Sequence, residues 1–192
     1  MIRTSILLAT ASSFATALCG TASADAVFNR IAAFPVNTNL PADADQASPT
    51  SAEIVTATQD GMTLIYSDSP GKSVGFVDIA DPKNPKAAGM VRLEGEPTSV
   101  AVAGQKVLIA LNTSKSKVDP SGVLLTKDVA GKAIDKSCDL GGQPDSVAIS
   151  PDGSIAAVAI ENERDEELND GEIPQLPAGY VAIFKLKDGA AD

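Results

Sequence analysis

Between Gly142 and Asn162 the chain alternates apolar and polar positions with a period of two: Val147 and Ile149, then Ile155, Ala157 and Ala159, with Pro151-Asp152-Gly153 between them. The pattern predicts two short strands joined by a tight turn, because proline presets φ and glycine accepts the positive φ that a tight hairpin needs. It is also a repeat. Gly95, Pro97, Ser99, Val100 and Ala101 each stand 47 positions before Gly142, Pro144, Ser146, Val147 and Ala148. In a third copy, starting at Ser51, Asp60-Gly61 stands 92 positions before Asp152-Gly153. Three copies at a spacing of roughly 46 residues, all strand and turn, predict blades of a β-propeller.

Extending the alternation through each copy predicts four strands in a first blade, 53–94, at 53–58, 62–67, 74–79 and 88–93. A second blade, 95–141, is predicted with strands at 99–103, 107–111, 122–129 and 133–140. The third, 142–192, has strands at 146–150, 155–160 and, after an acidic insert, 180–186; its fourth strand is missing from the pattern. The fold class is therefore all-β, a partial propeller of about three consecutive four-stranded antiparallel blades with the last incomplete. Residues 25–52 lie outside the repeat frame. They predict a strand at 27–36, assigned to closing the ring, and a polar loop rich in Pro, Asp and Asn. A ring needs roughly four to eight blades, so the remaining blades are expected in a longer chain. The alternative is a small β-domain that assembles with copies of itself.

Residues 1–24 carry Arg3, an apolar run at 6–18 and Ala22-Ser23-Ala24, the pattern of a secretory signal peptide cut before Asp25. Leu18 stands before Cys19 where a lipoprotein signal wants a small residue. No other apolar run approaches the ~20 residues of a membrane span. The mature protein is expected to be exported, to the periplasm or beyond the cell. Whole, the chain has 15 basic and 25 acidic residues; loss of Arg3 with the leader takes the formal charge from −10 to −11. Such a surface repels nucleic acid and anionic lipid and suits cations or basic partners. Cys138 is the one cysteine left after processing, so no intramolecular disulfide is possible. Histidine and tryptophan are absent, which removes the commonest general base and metal ligand and weakens recognition by stacking.

The blade pattern G-x-x-P-x-x-V-A-(V/I)-S-P-D-G resembles the YVTN-type propeller repeat. Longer stretches, VGFVDIADPKNP, GEPTSVAVAG, GGQPDSVAISPDG and AIENERDEELNDG followed by LPAGYVAIF, are similar to exported bacterial proteins of two related groups. One is the phytase-like group described by "esterase-like activity of phytase"; the other is the choice-of-anchor I propellers, some of which are labelled alkaline phosphatases. The resemblance implies a Ca²⁺-dependent phosphoesterase acting on a small phosphorylated molecule. A propeller hosts many functions, so a non-catalytic scaffold binding a protein ligand in the periplasm or at the cell surface stands beside it.

Blade topology predicts which residues meet. The hairpins at Asp60-Gly61, Gly104 and Asp152-Gly153 belong to one face, the bottom. The top collects Glu53, Glu96 and Asp145 at the entrances of the inner strands, with Asp68, Asn112, Glu161 and Asn162 at the ends of the second strands. It also carries the insert at 161–179, whose Glu161, Glu163, Asp165, Glu166 and Asp170 are the candidate metal ligands, beside Glu167 and Glu172. Carboxylate oxygens suit Ca²⁺, which takes ~6 to 8 of them. The competing reading is a solvated acidic loop, and no spacing here matches an EF-hand. Gly71-Lys72-Ser73-Val74-Gly75 fits G-x-S-x-G, but a strand follows it and no histidine exists, so Ser73 is read as a loop residue. Tyr66 stands where a phosphate loop requires glycine, and Asn112-Thr113-Ser114 is a formal glycosylation sequon. Pro97 and Pro144 are read as starting the inner strands, and Gly95 and Gly142 as permitting the sharp passage between blades.

Overall fold

A computed structural model describes residues 29–131 and 134–191; the leader at 1–24 lies outside them. Among the described residues, twelve strands form three four-stranded meanders. The first comprises β1 (Val55–Ala57), β2 (Thr63–Asp68), β3 (Ser73–Asp78) and β4 (Lys86–Arg92). The second comprises β5 (Glu96–Ala103), β6 (Lys106–Asn112), β7 (Gly122–Asp128) and β8 (Ile134–Asp139). The third comprises β9 (Pro144–Ile149), β10 (Ile155–Ile160), β11 (Tyr180–Lys187) and β12 (Ala190–Ala191). All pairings are antiparallel, the arrangement of consecutive propeller blades.

The missing fourth strand of the third blade is present after all, although only two residues of it. Asp188 and Gly189 both take positive φ (54° and 78°) and reverse the chain, pairing Leu186 with Ala191 and Lys187 with Ala190. A turn with two positive-φ centres matches strand twist, and Asp-Gly supplies it. The expected ring-closing strand at 27–36 is not formed in its described part. Residues 29–35 are irregular and Val36–Asn39 is a single 3₁₀ turn; positions 27 and 28 lie outside the described residues. Here Phe34 and Val36 lie half-buried against a sheet face, with Ile31 largely exposed, instead of the backbone lying along a sheet edge. Ile31, Phe34 and Val36 border an apolar cavity of about 380 Å³ on the outer face of the first sheet, opposite Leu64, Tyr66 and Val77.

Asn39 fixes this segment. Two residues of β4, Ala88 and Gly89, face the single Phe76 of β3, so the ladder is interrupted between Gly75 and Val77. The Asn39 amide group repairs the gap: its Nδ2 donates to the Phe76 carbonyl (2.9 Å) and to the Tyr66 hydroxyl (3.0 Å), while its Oδ1 accepts from the Gly89 N–H (3.1 Å). The ring of Tyr66 in turn lies where a Cβ on residue 75 would be, which is why Gly75 is required in β3.

The middle sheet is covered on both faces, and β6 shows it in sequence. Its Val107, Ile109 and Leu111 face the first sheet, with Ile65, Val74, Phe76, Val100 and Leu125. Leu108 and Ala110 face the third, with Leu124, Leu140, Ala156, Val158 and Ile160. A strand with two apolar environments reads as a continuous apolar run, whereas a half-buried one alternates. Between the inner strands, the Val147 N–H of β9 donates to the Ser99 hydroxyl of β5 (3.1 Å).

Candidate top-face site

The inner strands of the second and third sheets, β5 and β9, carry a buried proline at their start and then bulge. Pro97 pairs with Leu111 and Ser99 with Ala110, leaving Thr98 unpaired; Pro144 pairs with Ile160 and Ser146 with Ala159, leaving Asp145 unpaired. A bulge re-aims the side chain it carries, and here it turns residues toward the top. Gly142 is demanded by space more than by conformation, because a Cβ there would meet Asn162 Oδ1 at 2.5 Å. The repeat thus builds the same entrance twice and sets a polar groove of about 360 Å³ between the second and third sheets. Glu96, Thr98 and Asn112 stand on one side and Gln143, Glu161 and Glu163 on the other, with Lys115 and Lys117 from the β6–β7 loop.

Gln143 organises this groove. Its backbone N–H donates to Asn162 Oδ1 (2.9 Å), its carbonyl accepts from the Glu161 N–H (3.0 Å), and its side-chain amide donates to Glu161 Oε1 (3.0 Å). Sequence reasoning passed over it, although it stands 47 positions after Glu96 and the repeat alignment could have found it. The loop lysines were also missed; Lys117 reaches Glu163 at 3.4 Å. The Glu161 carboxyl is held above the ordinary glutamate range, first by lost hydration among the groove walls, then by the charges of Asp145 and Glu163. The Gln143 amide pulls the other way. Glu161, Glu163 and Asp145, three of the residues expected at the top, therefore act on one another.

The insert folds back on itself. Gln175 accepts from the Asp165 N–H (2.7 Å) and donates to the carbonyls of Asp165 (2.8 Å) and Glu172 (3.3 Å). Asn162 Nδ2 bonds the Ala178 carbonyl (3.2 Å), drawing the two ends together. Arg164 donates to the Gly171 carbonyl (2.9 Å) and pairs with Glu166 (3.6 Å), and Asp165 caps the Glu167 N–H (2.9 Å). With Gln175 turned inward, Ile173 and Leu176 project outward, 76% and 81% exposed.

Other expected residues go elsewhere. Asp68 is buried, its Oδ1 accepting from the N–H groups of Ser51 (2.9 Å) and Gly71 (3.0 Å), a turn-forming role away from the groove. Glu53 receives the Ser69 hydroxyl, whose oxygen lies 3.0 Å from the Pro97 carbonyl. Asp165, Glu166 and Asp170 are spread along the insert, Asp170 within a 3₁₀ turn at positive φ. Among the described residues, no group of three or more acidic or thiol side chains is gathered to hold a metal ion. Ser73 lies in β3, fully buried, rather than in a loop. Cys138 is a free, half-buried thiol on β8. On the bottom, Gly104 and Asp152-Gly153 border a separate polar groove, as the topology predicts. Among the described residues, no helix is long and apolar enough to cross a membrane.

Among solved structures, hydrazine synthase from Kuenenia stuttgartiensis is 30% identical over a match covering 57% of this chain and 29% of that one, with a TM-score of 0.47. A putative 6-phosphogluconolactonase from Bacteroides uniformis is 14% identical, with 80% of this chain and 42% of that one covered and a TM-score of 0.50. A second, from Bacteroides fragilis, is 15% identical, with 69% and 41% covered and a TM-score of 0.46. The chain spans less than half the length of each, and at such identities the Bacteroides uniformis likeness carries the fold alone. A search of curated proteins finds no match. The profile of the choice-of-anchor I domain matches residues 53–192, the whole of the three-sheet stack apart from its N-terminal segment. With most of its length inside that match, the chain belongs to the choice-of-anchor I domain family.

Proposed function

We propose that the chain is an exported propeller module, one part of a longer ring of blades, that binds a protein ligand at its top face. The observation that carries this reading is the self-tied insert, which holds two exposed apolar side chains, Ile173 and Leu176, on an acidic loop. A rigid arm loses little conformational freedom on binding, and apolar anchors surrounded by charge are the chemistry of a protein contact. The acids of the arm select a partner with basic residues around an apolar cleft. The leader pattern at 1–24 supports export. The test uses a peptide of alternating lysine and leucine as probe, titrated calorimetrically. Binding weakened by salt, and weakened roughly 30-fold or more by the double substitution Ile173→Asp and Leu176→Asp, supports the reading, since two anchors at about 1 kcal/mol each give that factor. Binding indifferent to both substitutions refutes it.

A second reading is the phytase-like or alkaline-phosphatase-like phosphoesterase, with YVTN-type blades and Ca²⁺ at the top. What favours it is the mutual repulsion of Asp145, Glu161 and Glu163, which a hard cation would relieve. Such an ion would have to draw Glu163 from Lys117 and Glu161 from Gln143. Release of phosphate from phytate or p-nitrophenyl phosphate, dependent on Ca²⁺ and lost in Glu161→Gln, would establish it. Absence of both calcium-dependent stabilisation and phosphate release would exclude it.

A further inference from the structure

We propose that the bottom face binds a neutral, polyhydroxylated ligand, an oligosaccharide, laid across two adjoining grooves that meet at Gln59 and Gly104. Both grooves lie at the opposite end of the blades from the top face, and residues of this chain line them.

The first groove, of about 370 Å³, lies where the β1–β2, β5–β6 and β7–β8 turns converge. The second, of about 290 Å³, runs from the β5–β6 turn to the β9–β10 turn. Gln59 and Gly104 border both, so the two join into one track. The first has the capacity of a small-ligand pocket, for which ~300–1,000 Å³ is usual.

Gln59 and Gln105 stand exposed at the first groove. Among the described residues, no hydrogen bond engages either side-chain amide. Each amide offers two donors and a carbonyl acceptor. Asp60 adds a further acceptor: its Oδ1 takes the Thr58 hydroxyl (2.6 Å) and the Met62 N–H (2.9 Å), which leaves Oδ2 for the groove. In the second groove Asp152 is held in the same way, Oδ1 accepting from the Ser150 hydroxyl (2.6 Å) and the Ser154 N–H (3.1 Å). These bonds hold both carboxyls below their ordinary range, so each remains an acceptor at physiological pH. Phe76, Ala88 and Val129 supply the apolar wall of the first groove.

This set of donors and acceptors selects the ligand. An anion meets Asp60 and Asp152 with like charge. A cation only donates, so it answers the carboxylates and leaves the amide N–H groups without partners. A wholly apolar ligand strips water from the amides and returns nothing. Hydroxyl groups both donate and accept, so a neighbouring pair of them meets the carbonyl and the N–H of one amide together. The C–H face of a sugar ring then lies on the apolar wall. Two grooves in line accept consecutive rings, which points to a chain of sugars over a single one.

Saturation-transfer NMR with maltotriose, cellotriose and chitotriose at tens of millimolar tests this, with methyl glucoside as the single ring and methylguanidinium as the cationic probe. At least one trisaccharide should receive transfer and bind roughly 10-fold tighter than methyl glucoside, with an affinity that added salt leaves unchanged. Gln59→Ala and Gln105→Ala should each weaken it roughly 5-fold, the factor of one ordinary hydrogen bond. Both side chains are exposed, so neither substitution should move Tm. Transfer to none of the three trisaccharides overturns the proposal. Binding that neither substitution weakens, or that is no tighter than for methyl glucoside, does the same. So does salt-sensitive binding of methylguanidinium that displaces the trisaccharide, because the track would then be a cation site.

Discussion

Replacing Asn39 tests how firmly the segment before the repeats is tied to the first sheet. The side chain is 5% exposed and makes three hydrogen bonds, to Phe76, Tyr66 and Gly89. Asn39→Ala leaves the Gly89 N–H near solvent, where water replaces the lost partner at little cost. The buried Phe76 carbonyl has no such recourse. A net worth of about 0.5–1.5 kcal/mol per bond, with about 1–3 kcal/mol for a buried group left unpaired, puts the loss at about 2–4 kcal/mol. That is a large share of the ~5–15 kcal/mol that holds a typical domain folded. At this size of domain it corresponds to a fall in Tm of roughly 5–12 °C. Asn39→Asp is the sharper variant. It keeps an acceptor for Gly89 but sets a negative charge against the Phe76 carbonyl, so at neutral pH it should be at least as damaging as alanine. In acid the protonated carboxyl can donate to that carbonyl, and the deficit should shrink. Urea denaturation of the three proteins measures the energies, and hydrogen exchange at the Gly89 amide reports the local bond. A change below about 0.5 kcal/mol for alanine, within the range of an ordinary surface substitution, would refute the account, as would an aspartate variant indistinguishable from wild type.

Glu161→Gln should raise Tm near neutral pH. The folded carboxyl lies above its ordinary value of 4.5, so between that value and the raised one the native state holds a proton that the unfolded state has released. Stability therefore falls as pH rises through this window and stays reduced above it. The advantage of glutamine should vanish as pH drops toward the ordinary value; a gap independent of pH would count against the electrostatic origin. Asp152, whose carboxylate is held down to about 2 by the Ser150 hydroxyl and the Ser154 N–H and hydroxyl, behaves oppositely. Its stabilising bonds are present above the ordinary value of 3.8 and are lost as pH falls through about 2. Carboxyl NMR should show that titration, absent in Asp152→Asn; a midpoint at the ordinary value would contradict the turn geometry. In the core, Ile109→Ala should cost about 2–5 kcal/mol by denaturant titration, and a loss below 1 kcal/mol would mean that the contact between the first two sheets is looser than described.

How much of this was legible in the sequence follows from where the repeat reaches. Proline, serine and valine at fixed spacing fixed the inner strands because backbone and packing demand the same residues in each copy. The strand boundaries moved by one to three residues, since ladder ends are set by pairing partners and not by the strand's own composition. Asn39 was invisible: it lies before the repeats and acts on a bulge visible only once β3 and β4 are paired. At the top face, Glu96, Asp145, Glu161 and Glu163 were placed correctly by topology. Asp68 also ends its second strand at that face, but the loop that brings Ser51 to it buries it away from the groove. The insert has no earlier copy to compare with, so the inward turn of Gln175 and the outward turn of Ile173 and Leu176 had no sequence signal.

The two-sided burial of β6 has a consequence outside the native state. Val107–Leu111 is a run of five aliphatic residues, two of them, Val107 and Ile109, β-branched, without charge, proline or glycine. Such segments assemble readily into cross-β stacks when they meet their own kind in an unfolded chain. Folded, the run is enclosed by a sheet on either side; during synthesis it would be bare. Lys106 on one flank and Lys115 and Lys117 shortly after the other place positive charge beside it, and charged flanks of this kind interrupt stacking. A strand enclosed on both faces is thus also one whose protection before folding depends on its neighbours in sequence.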